Sequence, residues 1–196
     1  MGQLPARTTV AWAASPPTLA KNARMGHPLW EWHTQGSLKL GHPPVKGKNG
    51  FVCIVGRGWT SAADPDFWNP KVRVPMCVNA AAARSYLVRI AKETEWGLEG
   101  RTPAQMTGAI KAAIAQKELP AMEPGAMCYM LSKQGYGGEV LPHWPPHLMF
   151  FFSDTDAAIW GANLPGSPVM GMSDPVEHLT QFVIQVQRWS DGSEGH

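Results

Sequence analysis

Apolar positions along the chain fall into short stretches of strand length and two longer stretches of helical spacing. Residues 50–56, GFVCIVG, form a continuous apolar run between glycines, the pattern of a strand covered on both faces. GAMCYMLS at 125–132 sets Met127, Tyr129 and Leu131 against Ala126, Cys128, Met130 and Ser132, and HLMFFF at 147–152 sets His147, Met149 and Phe151 against Leu148, Phe150 and Phe152. Both strands are apolar on both faces, so both are expected in the middle of a sheet. Near the end of the chain TQFVIQVQRWSD alternates Phe182, Ile184 and Val186 with Gln181, Gln185 and Gln187, a strand with one solvent face. A hairpin is expected at 28–40 around Gln35 and Gly36, and a short peripheral segment over residues 1–25, interrupted by Pro16 and Pro17.

Between these strands lies helical periodicity. Asn79 is placed to cap a helix running to about Trp96, with Ala83, Tyr86, Leu87, Ile90 and Thr94 on its apolar face and Arg84, Arg89, Lys92 and Glu93 opposite. A second helix has a fuller start signal, with Thr102 as N-cap, Pro103 at the first helical position and Gln105 completing a capping box. Met106, Ala109, Ile110, Ala113 and Ile114 then recur at helical spacing until the approach to Pro120. The segments around Asp64-Pro65 and Asn69-Pro70, and from Ser153 to His178, are expected to be irregular. These elements predict a single α+β domain over 1–196, an antiparallel sheet of about five or six strands with a helical hairpin inserted in its middle and packed on one face.

Composition narrows the function classes. Lys and Arg total 17 against 15 Asp and Glu, with no basic run to track phosphates, which excludes nucleic acid as an expected partner. No apolar run reaches the ~20 residues of a membrane-spanning helix, so no span is expected. The opening residues lack the pattern of a signal peptide. Nine tryptophans spread along the chain are expected mostly in the core. Of three cysteines, Cys128 is assigned to the core, while Cys53 and Cys77 lie in segments able to neighbour each other. A bridge between them would close a loop of about 25 residues and contribute on the order of 3 kcal/mol. No CxxC pair supports a thiolate metal site or a thioredoxin-like centre.

The chemistry-bearing residues gather in the loop 133–147, KQGYGGEVLPHWPPH. If the flanking strands pair, Ser132 comes near His147, the minimum of an activated nucleophile, with Asp154, Asp156 or Glu177 available to orient the imidazole. No GxSxG elbow accompanies them. Glu139, His143 and His147 are three ligand-type residues in nine positions, but Pro145 and Pro146 forbid the helix on which a His-x-x-x-His pair would share a face. Tyr136, Trp144 and His147, with glycines that permit close approach and prolines that stiffen the loop, read instead as contacts for a small or apolar ligand.

The blocks NGFVCIV, PMCVN, PGAMCYMLS and PHLMFF, in this order over residues 48–152, resemble a family of uncharacterised bacterial proteins that often carry export signals. The resemblance implies an exported, periplasmic or extracellular protein and favours a Cys53–Cys77 disulfide; it implies no activity. His147 lies within the shared PHLMFF block and His143 outside it. The expectation is an exported bacterial domain that binds a small-molecule or apolar ligand at the 133–147 loop. The alternatives are a hydrolase built on Ser132 and His147, or a metal site at Glu139, His143 and His147.

Overall fold

The computed structural model describes residues 45–46 and 50–195; the expected 28–40 hairpin and 1–25 segment lie outside them. The strands are β1 (Val45–Lys46), β2 (Val52–Gly56), β3 (Val74–Val78), β4 (Met127–Met130), β5 (His147–Ser153), β6 (Val169–Asp174) and β7 (Leu179–Gln185). They form one antiparallel sheet in the order β1-β2-β3-β4-β5-β7-β6. Helices α1 (Ala80–Arg84), α2 (Tyr86–Leu98) and α3 (Pro103–Ala115) are inserted between the neighbouring strands β3 and β4. The fold is the expected α+β arrangement, with the β4–β5 pair at its centre.

The apolar alternation decides which face the helices cover. Met76, Val78, Cys128, Met130, Met149, Phe151 and Val183 are buried on one face against Ala83, Tyr86, Leu87 and Ile90, and Tyr86 stacks on Phe151 at 3.9 Å. The opposite face carries the Cys53–Cys77 disulfide, Tyr129, Leu148 and Phe150, and Trp160 stacks on Phe182 at 4.4 Å. Asn79 joins helix to sheet: its Oδ1 accepts from the Ala82 amide at the start of α1 and from the Met127 amide of β4.

Four local expectations change. The first helix breaks at Ser85, whose hydroxyl bonds back to the Ala81 carbonyl, a local bond that competes with helix continuation. Arg89 and Glu93 are not on a solvent face but are 2% and 1% exposed, because α2 is covered on a second side by the β6–β7 turn and the chain at Pro120. The capping box of α3 forms as expected, yet its apolar face meets Trp59, Phe67, Trp96 and Leu119 in a second core cluster rather than the sheet. Two strands are added to those expected: β3, where no element is assigned from the sequence and Pro75 lies beyond the two residues paired with β4, and β6, which falls in the segment expected to be irregular and lacks apolar–polar alternation.

Among the described residues β6 is an edge strand, and one side chain occupies its open side. Asn163, itself at φ 62°, accepts from the Gly171 amide and donates to the Gly171 carbonyl, while its own backbone amide bonds Val169. The amide group thereby stands in for a neighbouring strand and blocks edge-to-edge pairing. Asn163→Ala is expected to cost about 1 kcal/mol in urea unfolding, since both bonds are solvent-exposed. It should also raise self-association, measured by sedimentation.

Candidate functional site

The register places the expected site at one end of the sheet. Met130 pairs with His147, so Ser132 lies two residues past the ladder, where the chain leaves the sheet. The loop that follows is fastened to the 64–73 excursion. Arg73 donates from Nε to the Gln134 carbonyl, its backbone pairs with Tyr136, and its guanidinium lies over the Tyr136 ring. Asp66 Oδ2 accepts from the Glu139 amide at 2.7 Å. Trp144 is pressed against two glycines: a Cβ at Gly135 would stand 2.4 Å from its ring, and one at Gly137 would stand 2.9 Å away. Only glycine permits that approach, so the indole is fixed by backbone on one side.

A cleft of about 400 Å³ opens between this loop and the C-terminal turn, lined by Ser132, Lys133, Gly135, His143, Trp144, Trp189 and Glu194. The turn is held by an Arg188–Glu194 bridge, by the Trp189 amide on the Ser193 carbonyl and by the Ser190 amide on the Leu131 carbonyl. Lys133 pairs with Asp191 at 3.1 Å. Hydrogen bonds from Ser193, with Lys133 beside it, hold the Asp191 carboxyl down at about 2.

The expected residues divide between the cleft and its supports. Ser132, His143 and Trp144 line the cleft. Tyr136 is half-buried and donates to Glu139 at 2.6 Å, so these two brace the loop. His147 is buried, its Nδ1 bonded to the Pro145 carbonyl at 2.8 Å and its ring edge-on to Trp144. Burial lowers its pKa, and the neutral ring bonded in this way donates from Nδ1 and leaves Nε2 as an acceptor.

Ser132 and His147 share no hydrogen bond; the Ser132 hydroxyl accepts from the Gln134 amide. The third members proposed for a triad lie elsewhere. Asp154 bonds His178, Asp156 caps the 157–160 turn, and Glu177 is buried beside α2. All three belong to the Ser153 end of β5, a strand length of about 20 Å from His147. Among the described residues no three His, Cys, Asp or Glu side chains assemble as metal ligands, and Glu139, His143 and His147 do not converge. Their separate engagements, with Tyr136, beside Tyr136 and on Pro145, account for that.

Sequence reasoning did not single out Trp189 or Glu194. Trp189 follows the alternating run of β7 as one more member of a strand, and only the turn at 190–193 brings it to the cleft that Ser132 also lines. Comparisons with family models, curated proteins and solved structures find no match.

Proposed function

We propose that this chain is a ligand-binding domain of an exported bacterial protein, and that it takes a small molecule in the cleft between the 133–147 loop and the C-terminal turn. The observation that carries this reading is the cleft itself. Its volume falls within the roughly 300–1,000 Å³ of small-molecule sites, and it combines two indoles with a few polar groups on a braced frame. The Cys53–Cys77 bridge supports an oxidising compartment. The hydrolase reading ranks below because Ser132 and His147 are each engaged with backbone and not with one another. The metal reading ranks below because its three residues do not converge.

The test is a fragment panel of neutral, cationic and anionic compounds, followed through the indole N–H resonances of Trp144 and Trp189, assigned with Trp→Phe variants. A compound that shifts both signals saturably is expected, and Trp189→Ala should weaken it at least tenfold. Trp189 lies outside both core clusters, so the thermal midpoint of that variant should stay close to that of the parent. A panel that moves neither indole would remove the binding reading.

A further inference from the structure

Resting on the reading of this cleft as a binding site, we infer that its ligand carries a positively charged ammonium group, held between the indoles of Trp144 and Trp189 and the carboxylate of Glu194. An indole presents a negative π-face, and a desolvated cation over such a face gains more than a neutral group of the same shape. Two indoles line this cleft, and one of them is clamped in place by Gly135 and Gly137.

The charges point the same way. Among the described residues Lys133 is the one Lys or Arg in the wall, and its ammonium is already engaged by Asp191 at 3.1 Å. Asp191 is itself fixed by two hydrogen bonds from Ser193, so the pair is closed within the turn. Glu194 makes no ion pair among the described residues. Arg188 stands across the backbone bridge from it, but its guanidinium is beyond ion-pair distance and does not line the cleft. Among the described residues, therefore, the acid lining the cleft has no ion-pair partner, whereas the base lining it has one. His143 and Ser132 add a ring nitrogen and a hydroxyl, able to orient a polar substituent of the same ligand.

Three probes of one shape isolate charge from apolar burial: choline, the alcohol in which a quaternary carbon replaces its nitrogen, and the carboxylate built on that same carbon skeleton. Binding of each is followed through the Trp144 and Trp189 indole signals. Choline is expected to bind at least tenfold tighter than the uncharged alcohol and tighter still than the carboxylate. Glu194→Gln should reduce choline affinity about tenfold while leaving the alcohol unchanged. Because Glu194 is exposed, that preference should also shrink as salt is raised. Equal affinity for choline and the alcohol would overturn the inference while leaving the binding site in place. A carboxylate that binds tightest would overturn it in favour of Lys133 and His143. Choline that moves neither indole would also end it, and the wider fragment panel then decides separately whether the cleft binds anything.

Discussion

Raising the pH from about 4.5 to 8 is expected to destabilise this protein relative to its Glu177→Gln variant, by on the order of 3 kcal/mol. The cause is a pair of buried carboxyls. Glu93 on α2 is 1% exposed, and among the described residues neither of its oxygens has a hydrogen-bond partner. Glu177 faces it from the β6–β7 turn, with Asp174 nearby, and Asp154 is bonded to His178 beyond them. Arg89, one helical turn before Glu93, spends its guanidinium on the Pro120 and Glu177 carbonyls, so its charge moderates the cluster without bonding either carboxylate.

Burial is the largest influence on both acids. It pushes Glu177 from the ordinary 4.5 up to about 7 and Glu93 well above the usual carboxylate range. Between pH 4.5 and 7 the folded protein therefore holds a proton that the unfolded chain has released. That stability is complete below 4.5 and is lost as pH rises through 7. His147 works in reverse. Its lowered pKa means that the unfolded chain binds a proton near pH 6.5 that the folded protein refuses, so its contribution grows with pH up to that point.

Subtracting the two unfolding curves, parent minus Glu177→Gln, removes the His147 effect because both proteins share it. The depressed Asp191 and Glu123 carboxyls act at lower pH and also cancel. Urea unfolding at half-unit pH steps gives the difference directly, and a flat difference would contradict the buried-pair account. Glu93→Gln should flatten the same slope, and the double variant should gain less than the two single gains together, because the carboxyls face each other.

Reduction of Cys53–Cys77 is the second large effect. The two residues are directly opposite across β2 and β3, 24 positions apart in the chain. Breaking the bridge is expected to cost about 3 kcal/mol, read from urea unfolding with and without reductant, and an unchanged midpoint would show that the bridge does not form in solution. Alkylation of the oxidised, denatured protein should label Cys128 alone. The third cysteine is close by in register, since Cys128 pairs with Val78 while Cys77 pairs with Tyr129. Strand alternation nonetheless turns Cys128 to the helix-covered face and the disulfide to the other. Burial also raises the Cys128 thiol to about 12, so almost no thiolate exists to attack the bridge. Exchange is blocked by both geometry and protonation.

What the sequence made legible follows from how local each signal was. The β4–β5 pair, the capping box at Thr102 and the closing strand rest on patterns within ten or so residues, and each forms in the structure. Arg89 and Glu93 were misplaced because helical spacing identifies a polar face but not what packs on it. Here the β6–β7 turn, some 80 residues further along, closes over them. The same limitation explains the site. Ser132, His143 and Trp144 were visible in one loop, whereas Trp189 and Glu194 join them only through a turn that docks on Leu131. The Ser132–His147 pairing rested on register alone, and register fixes which backbones are neighbours without directing a hydroxyl or a ring nitrogen beyond the ladder.

The bracing of the 133–147 loop has a consequence for rates. Asp66 and Arg73 hold its backbone, and Gly135 and Gly137 admit the Trp144 ring so closely that the wall stands in place before anything enters. A ligand of the proposed kind would wait for no lid or hinge in that loop, and little ordering entropy would be left to lose on its side. Encounter on this side would then be limited by diffusion and orientation, and differences among such ligands would appear in how long each one stays.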